Sequence, residues 1–364
     1  MKKVLFTATV DSHILHFHIP YLKLFHDNGY EVHVATNGNG KIPYCDVKHK
    51  VSFERNPIKI NNLKAIKQLK RIIDKENFEI IHCHTPMGGA VTRLAAKKAR
   101  KYGTRVIYTA HGFHFYKGAP LKNWLLFYPV EKWLSRYTDV LITINKEDYN
   151  LAKDKFKKCN RIEYVPGVGV DPKKFDIKMS NKEKIELRKT LGLKADDFVI
   201  IQVGELNNNK NQKMAIYTMK ELLKKSNNTK LLIVGNGAML DNYKKLVDEL
   251  NLNNNIIFTG FRADIPKLMH ISDLVISCSK REGLPVNIME ALLSNVPVVA
   301  TNCRGNRDLI ENGKNGYLVN IDDYEKMSEI IKYKFLNSKT KMVVHLDDKY
   351  LIENILNKLK KIYF

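Results

Sequence analysis

Long apolar stretches are missing from this 364-residue sequence, and no run reaches the eighteen or so residues that a membrane-spanning helix requires. The residues from Met1 to Val10 have the pattern of a strand rather than that of a signal peptide. We therefore expect a soluble, cytoplasmic chain. Peripheral attachment to the inner face of the cell membrane is the one form of membrane association left open.

Motifs for disulfide bonds, metals and dinucleotides are missing as well. The five cysteines are odd in number, widely spaced and without a CxxC pair, which indicates reduced core or loop residues. His82 and His84 flank Cys83 at the end of an apolar segment, but no second cluster of ligands accompanies them. No DxD motif is present to hold a metal against a diphosphate, and no full GxGxxG motif to bind a dinucleotide. We expect neither a metal nor a cofactor.

Acidic residues are few compared with basic ones, since 38 Asp and Glu stand against 61 Lys and Arg and the formal charge is +23. Residues 1–170 hold 29 basic and 14 acidic residues, a net of +15, against +8 for the remainder. Nucleic acid, an anionic membrane surface and phosphate-bearing substrates all attract such a charge. A general excess of lysine on solvated faces also explains part of it. No nucleic-acid-binding motif is present, so nucleic acid is not an expected partner.

An alternation of strand and helix runs twice along the chain. Short aliphatic segments are separated by helical ones in each half, a pattern typical of α/β domains with parallel sheets. We predict Rossmann-like domains over residues 1–170 and 171–345, with segment 161–175 as the crossing between them. In the remaining residues 346–364, the segment from Asp348 to Tyr363 is predicted to be a basic amphipathic helix.

The most informative segment is SCSKREGLPVNIMEALLSNVPVVAT, residues 277–301. An apolar strand, LVIS, ends at its first residue, Gly283 permits a sharp turn, and Pro285 suits the first position of a helix. The amino-terminal end of such a helix favours an anion. A phosphate can therefore bind over residues 283–287, against Gly283, Leu284 and Pro285.

Two carboxylates flank this predicted phosphate site. Glu282 lies in the loop before the helix, and Glu290 lies five residues into it, about 7.5 Å along the axis. A nucleoside-diphosphate sugar has the same layout, with a diphosphate between the ribose hydroxyls and the sugar. The spacing alone is weak evidence, and the strand-turn-helix context carries the prediction.

The segment resembles the E-x7-E region of family 4 glycosyltransferases, and the likeness extends over nearly the whole chain. The resemblance implies the GT-B fold, in which two Rossmann-like domains face a cleft and the last helix packs back on the first domain. It also implies that Glu282 faces the donor sugar in catalysis and that Glu290 holds the ribose hydroxyls. Retention of the anomeric configuration and independence from metals are further implications.

A second strand-end loop, VGELNNNKNQ at residues 203–212, corresponds to the family pattern Val-Gly-Arg followed by lysine. The resemblance implies that Gly204 and Lys210 contact the diphosphate. This sequence has Glu205 in the arginine position, and a carboxylate cannot bind phosphate without a compensating proton or cation. Glu205 therefore turns away or serves another role. Arg262 is a candidate for the missing charge, although an ion pair with Asp264 explains it equally well.

Histidines follow the strands of the first half. His111, which precedes a glycine, resembles the histidine of the family's His-Gly pair, and this implies a catalytic position by the donor sugar. The loop TVDSHILHFHIP, residues 9–20, stands where many family members have a glycine-rich loop. His13, His16 and His18 of that loop line the acceptor pocket or pack on the following helix, and the sequence does not decide between the two.

Residues 117–137, KGAPLKNWLLFYPVEKWLSRY, interleave five aromatic side chains with basic ones. An amphipathic segment of this kind can rest on a membrane that holds a lipid-linked acceptor. A core helix kinked by Pro129 is the simpler interpretation.

We predict a retaining, metal-independent glycosyltransferase of hexosyl or N-acetylhexosaminyl type. It would move a sugar from a nucleoside-diphosphate donor, a UDP-sugar in our expectation, to a glycan or lipid-linked acceptor in cell-surface polysaccharide synthesis. A sugar-nucleotide epimerase or an inverting glycosyltransferase are alternatives, and the anomeric configuration of the product separates them. A non-enzymatic protein that binds nucleic acid or anionic lipid would instead show steeply salt-dependent binding and no turnover.

Overall fold

The computed structural model describes residues 1–224, 228–337 and 342–364. The chain forms two compact units. Unit 1 comprises Met1–Val168 together with Ile352–Phe364, and unit 2 comprises Gly169–Leu351. Each unit is built on one parallel sheet with helices, which confirms the predicted class of two Rossmann-like domains.

The sheet of unit 1 contains seven strands: β1 (Lys3–Thr7), β2 (Glu31–Thr36), β3 (Val47–Lys50), β4 (Ile80–His84), β5 (Arg105–Ala110), β6 (Val140–Thr143) and β7 (Arg161–Tyr164). They lie in the order β3-β2-β1-β4-β5-β6-β7, and all neighbouring pairs are parallel. The central strands read as continuous aliphatic runs because both faces of a parallel sheet are covered. Val4, Leu5 and Phe6 of β1 accordingly have no exposed surface.

The helices of unit 1 that precede unit 2 are α1 (Asp11–Phe17), α2 (Ile19–Asp27), α3 (Asn61–Glu76), α4 (Pro86–Ala95), α5 (Lys97–Lys101), α6 (Leu121–Leu134) and α7 (Lys146–Lys155). Most of them present an apolar stripe to the sheet. In α3 the buried apolar residues are Ala65, Leu69 and Ile73, which recur every four positions and so share one face of the helix.

The strands of unit 2 are β8 (Phe198–Val203), β9 (Thr229–Val234), β10 (Ile256–Gly260), β11 (Leu274–Ser277), β12 (Val298–Thr301) and β13 (Gly316–Val319). They lie in the order β10-β9-β8-β11-β12-β13, again parallel. The helices are α8 (Asn181–Thr190), α9 (Gln212–Leu223), α10 (Leu240–Glu249), α11 (Ile265–His270), α12 (Val286–Leu293), α13 (Asn306–Leu309) and α14 (Tyr324–Ile331).

The last helix, α15 (Ile352–Tyr363), belongs to unit 1, so the predicted return of the final helix to the first domain is confirmed. Its buried residues Ile355, Leu359, Ile362 and Tyr363 recur on one face and join the core that contains Phe25. The hydroxyl of Tyr363 also lies 2.8 Å from Nδ1 of the buried His82.

Four local predictions need correction. The loop predicted over residues 9–20 contains helix α1, whose Ile14 is fully buried, and the crossing predicted over 161–175 begins with β7, which pairs with β6. Helix α15 begins at Ile352 rather than at Asp348, because Leu351 is extended and pairs with Val170. Helix α12 begins at Val286.

The start of α12 differs by one residue because Pro285 is extended, with φ −76° and ψ 120°, and caps the helix instead of opening it. Glu290 therefore lies four residues beyond the first helical residue, about 6 Å along the axis.

Candidate active site

The order of the strands in unit 2 reverses between β8 and β11, which pair although they are far apart in sequence. The loops after these two strands emerge at the same edge of the sheet, where parallel α/β sheets bind ligands. Nδ2 of Asn287, in the first turn of α12, donates to the carbonyl of Val203 at the end of β8 over 2.9 Å. This bond fixes the amino-terminal end of α12 against the end of β8.

Lys210 and Glu282 meet at this edge. Nζ of Lys210 lies 2.6 Å from Oε1 of Glu282, and the two side chains are only 24% and 12% exposed. A Cβ atom placed on Gly204 would lie 3.4 Å from the methylenes of Lys210, so the lysine chain runs along the backbone of Gly204. The structure thus brings together three of the predicted donor-binding or catalytic residues.

Hydrogen bonds hold the two loops in register. Oδ1 of Asn207 accepts from the backbone N–H groups of Asn209 and Lys210 over 3.0 and 2.8 Å. Nδ2 of Asn209 donates to the carbonyl of Arg281 over 3.0 Å, and the backbone N–H of Lys280 donates to the carbonyl of Asn209 over 2.8 Å. The position of Lys210 relative to Glu282 therefore does not depend on their ion pair alone.

The backbone around Gly283 is packed tightly. A Cβ atom on Gly305, whose φ is +82°, would lie 2.5 Å from the carbonyl oxygen of Gly283. Only glycine fits there, since a side chain would push the Gly283 turn away from its position. Leu284 is 6% exposed and anchors the turn before Pro285.

Glu290 lies on the half-buried side of α12, where removal of water raises the pKa of its carboxyl group to about 7. The positive charge of Lys174 acts in the opposite direction with a smaller effect. Glu282 and Glu290 therefore differ in their surroundings, since Glu282 has a cation at 2.6 Å and Glu290 is governed by burial.

The positive charge of the arginine in the family pattern is supplied neither by Glu205, which stands in its place, nor by Arg262, whose charge is already paired. Glu205 is exposed, and the guanidinium of Arg262 binds Asp264 through two hydrogen bonds of 2.7 and 2.6 Å. Sequence reasoning missed Arg304, which is 3% exposed and whose Nε donates to the carbonyl of Glu282 over 3.0 Å. Its place directly after β12, at the same edge of the sheet, is the signal that could have revealed it.

In unit 1 the corresponding reversal lies between β1 and β4, and four histidines gather near it. His13 Nε2 and His84 Nδ1 lie 3.4 and 3.3 Å from Nε2 of His111, and the rings of His18 and His84 stack with centroids 3.7 Å apart. Burial lowers the pKa of His13 to about 4 and the pKa values of His18, His84 and His111 well below 6.5. All four imidazoles are therefore neutral at pH 7.

The other histidines of the predicted sites lie outside this group. His16 is exposed, and its Nδ1 lies 2.5 Å from the carbonyl oxygen of Ser12. His82 is buried, with Nε2 2.8 Å from Oγ1 of Thr109. The structure thus unites His13 with His111 and leaves His16 on the surface of α1.

A second group of possible metal ligands in unit 1, Glu31, His33 and Glu76, already has a cation. Nζ of Lys3 lies 2.7 Å from Glu76 and 3.4 Å from Glu31. Oε1 of Glu31 also accepts a hydrogen bond from Nε2 of His33 over 2.6 Å. The negative charges of Glu31 and Glu76 are therefore balanced by Lys3, and the group is an ion-pair network.

Helix α6, in segment 117–137, has features of both predicted alternatives, a core helix and an amphipathic surface helix. Trp124, Phe127 and Tyr128 pack against the cluster around Phe115. Leu134 is buried, and five further apolar side chains face solvent, with exposed fractions of 72% for Leu121, 67% for Leu125, 63% for Leu126, 49% for Val130 and 42% for Trp133. The helix continues through Pro129. One face of α6 is core, and the other is an exposed apolar surface.

None of the helices within the described ranges is both long and apolar enough to span a bilayer. The five cysteines are all free, as the sequence predicts, and Cys83, Cys278 and Cys303 are buried.

The two parallel-sheet units, together with the paired loops after β8 and β11, define the class of GT-B glycosyltransferases. A family described as "Glycosyl transferases group 1" matches residues 183–347, and one described as "Glycosyl transferase 4-like" matches residues 3–145. The chain belongs to this family of glycosyltransferases, as the E-x7-E segment predicts, and it is therefore an enzyme of the glycosyltransferase class.

Two relatives show the extent of the similarity. EpsD of Bacillus subtilis, named as a glycosyltransferase, is 47% identical over 88% of this chain and 84% of that protein. The UDP-Gal:alpha-D-GlcNAc-diphosphoundecaprenol alpha-1,3-galactosyltransferase of Escherichia coli is 29% identical over 84% of this chain and 75% of that enzyme. Among solved structures, Anabaena Alr3699/HepE in complex with UDP and glucose has a TM-score of 0.80, with 21% identity, over 100% of this chain and 99% of that one.

Proposed function

We propose that the chain transfers a hexosyl or N-acetylhexosaminyl group from a UDP-sugar, with retention, to a glycan or lipid-linked acceptor in cell-surface polysaccharide synthesis. Support for the donor comes from the Escherichia coli relative, whose name specifies UDP-Gal, and from the UDP-bound structure with the same fold. Support for the acceptor comes from the diphosphoundecaprenol in the name of that relative.

The observation that carries the proposal is the pairing of Lys210 with Glu282, 2.6 Å apart, next to the amino-terminal end of α12. Lys210 and the amino-terminal end of α12 would bind the diphosphate. Glu282 would then face the donor sugar, and Glu290 would accept hydrogen bonds from the ribose hydroxyls.

In the proposed reaction the bond between the anomeric carbon and the diphosphate oxygen breaks, and the acceptor hydroxyl attacks from the same face. The proton of that hydroxyl passes to the departing diphosphate. Lys210 and the end of α12 stabilise the negative charge that develops on the leaving group, and Glu282 stabilises the positive charge on the sugar. No metal takes part, because Lys210 and α12 supply the positive field at the diphosphate.

The exposed apolar face of α6 supports peripheral attachment to the inner face of the cell membrane. Lys122, Lys132 and Arg136 are exposed on or directly after the same helix, so that leucines are combined with positive charge. This combination suits an interface with anionic lipid, where a lipid-linked acceptor would be found. The protein would then be cytoplasmic and reversibly bound to the membrane.

The test is a transfer assay with the purified chain, a panel of UDP- and GDP-sugars, and glycan or lipid-diphosphate acceptors. We expect UDP release that depends on the acceptor, and a product whose anomeric configuration, read by NMR, matches that of the donor. An inverted product would identify an inverting enzyme, and a changed sugar nucleotide without transfer would identify an epimerase.

The role of Glu290 is tested separately by calorimetric titration with UDP. At pH 8, where the carboxyl group is charged, we expect Glu290→Ala to weaken UDP binding by about 10- to 100-fold, because hydrogen bonds to a charged acceptor contribute about 1.5–3 kcal/mol. Glu329→Ala in α14 is a suitable control, since Glu329 is exposed and paired with Lys326. Unchanged affinity in Glu290→Ala would remove Glu290 from the nucleotide site.

A further inference from the structure

Four imidazoles in unit 1 converge from three separate stretches of the chain. His13 lies on α1, His18 directly follows α1, His84 ends β4, and His111 follows β5. Each ring offers one nitrogen atom, and these four atoms all lie within 4.8 Å of one another. His18 and His84 have no exposed surface.

The polar atoms of this histidine cluster are poorly satisfied by the protein. Neither ring nitrogen of His18 has a hydrogen-bond partner among the described residues, and the same holds for Nε2 of His84. A buried polar group without a partner costs about 1–3 kcal/mol. A phenylalanine or leucine at position 18 would fill the space without that cost, so the imidazole calls for another explanation.

The distances within the histidine cluster do not suit hydrogen bonds between the rings. Nε2 of His111 lies 3.4 Å from Nε2 of His13 and 3.3 Å from Nδ1 of His84. Hydrogen bonds from N–H groups are usually about 2.7–3.2 Å long. Nitrogen atoms about 2.0–2.1 Å from a tetrahedral zinc ion are separated from one another by about 3.3–3.4 Å. Both measured separations fit such a tetrahedron.

We propose that His13, His18, His84 and His111 bind a divalent transition-metal ion of the zinc type in tetrahedral geometry. Four neutral nitrogen ligands and no carboxylate favour zinc and its neighbours over magnesium or calcium, which prefer oxygen. The widest pair of nitrogens needs to close by up to about 1.5 Å from 4.8 Å, a movement that rotation of the rings can supply. The expectation that no metal binds near His84 rests on neighbours along the chain, whereas the other three ligands come from positions 13, 18 and 111.

The consequence for unit 1 is a cross-link between α1 and the ends of two sheet strands. The ion would join residues 98 positions apart, His13 and His111, and would supply a partner for one of the two unpaired nitrogens of His18. Binding of an ion at this site would require no nucleotide sugar, because the diphosphate of the reaction proposed above is held in unit 2. Its binding can therefore be measured whether or not that reaction is correct.

The experiment uses full-length protein without a histidine tag, stripped of metal with a chelator and titrated with Zn²⁺ in a calorimeter and with Co²⁺ in a spectrophotometer. We expect one ion per chain, a rise in the melting temperature with Zn²⁺, and the intense visible absorption of tetrahedral Co²⁺. The absence of one-to-one binding to the wild-type chain would overturn the proposal.

Two variants locate the ion. His18→Phe keeps an aromatic ring against His84 and removes only unpartnered nitrogens, so the metal-free variant should fold at least as stably as the wild type. We expect it to weaken Zn²⁺ and Co²⁺ binding by at least 10- to 100-fold. His26→Gln, which removes a half-exposed histidine of α2, should bind both ions as the wild type does.

Unchanged metal binding in His18→Phe, or its loss in His26→Gln, would place the ion elsewhere and contradict the proposal. His13→Leu provides a second ligand variant in case His18→Phe does not fold. It removes the interaction of Nε2 with His111 and should also abolish the tetrahedral Co²⁺ spectrum.

Discussion

At the scale of residues, the two glutamates of the E-x7-E segment have opposite surroundings. Glu282 has Lys210 at 2.6 Å, whereas the carboxyl group of Glu290 is dominated by burial. Burial favours the protonated form of a carboxyl group that has no close cation. Substitution of the two residues is therefore expected to have different effects.

We expect Glu282→Gln to lower the turnover number by about 100-fold or more while UDP affinity changes little. The amide keeps the shape of the side chain but cannot stabilise positive charge on the sugar, and removal of one group of this kind typically costs about 10²–10³ in rate. Initial rates at saturating donor, together with calorimetry of UDP binding, measure the two effects. Glu329→Gln, which alters an exposed ion pair with Lys326, should keep full activity. Wild-type turnover in Glu282→Gln would refute its assignment.

Glu290 makes the folded chain less stable at high pH. Because its folded pKa of about 7 exceeds the ordinary value of 4.5, the folded state holds more protons than the unfolded state between these pH values. The free energy of unfolding therefore falls as the pH rises from 4.5 to 7, and the cost is fully present above pH 7.

Glu290→Gln removes this cost, so it should raise the free energy of unfolding by about 1–3 kcal/mol at pH 8 and leave it nearly unchanged at pH 4.5. Urea unfolding of both proteins at the two pH values gives the difference. A gain of equal size at both pH values would mean that ionisation of Glu290 is not the cause.

At the scale of elements, helix α6 has two apolar faces with different tasks. Its aromatic face completes the core around Phe115, while Leu125 and Leu126 are 67% and 63% exposed. A large exposed apolar face next to basic residues indicates an interaction surface rather than a defect of packing.

The double substitution Leu125→Gln and Leu126→Gln should abolish binding to vesicles that contain phosphatidylglycerol, without loss of thermal stability. The leucines contribute little to the core, and their removal lowers the apolar area that can enter a lipid interface. Co-sedimentation with phosphatidylglycerol vesicles, and with phosphatidylcholine vesicles for comparison, measures the effect. Ile185→Gln on α8, at a residue 52% exposed, should bind vesicles normally. Equal vesicle binding by the double variant would exclude α6 as the membrane surface.

Single elements were predictable wherever local pattern decides the structure. The strand LVIS has the predicted bounds Leu274–Ser277, since four consecutive apolar residues between turns suit a buried parallel strand. Strand β3, VKHK, was not predicted, because an edge strand with two lysines and a histidine has no apolar pattern. Helix α1 was read as a loop because only Ile14 in it is buried.

The site was less predictable, because its geometry depends on contacts between distant residues. Lys210 and Glu282 are 72 positions apart, and their ion pair follows from the pairing of β8 with β11. The histidine cluster has the same origin in the pairing of β1, β4 and β5. Sequence spacing shows which residues follow strands, but it does not show which strands are neighbours.

At the scale of the whole molecule, each unit has its own sheet and core, so ligands of one unit need not stabilise the other. We expect UDP at about 100 times its dissociation constant to raise the melting temperature of the unfolding step of unit 2 by about 5–10 °C. GDP at the same concentration should have a smaller effect. Differential scanning calorimetry resolves the steps, and a larger shift with GDP would point to a guanine nucleotide donor.

The return of α15 to unit 1 bears on how the chain acquires its structure during synthesis. Unit 2 is continuous from Gly169 to Leu351, whereas unit 1 needs the twelve residues of α15, which leave the ribosome only after all of unit 2. Until then Phe25 lacks the ring of Tyr363, whose centroid lies 4.7 Å away in the finished fold, and His82 lacks its hydroxyl partner. The core that begins the sequence is thus the last to be completed, and a chain whose synthesis ends before α15 has an open first core.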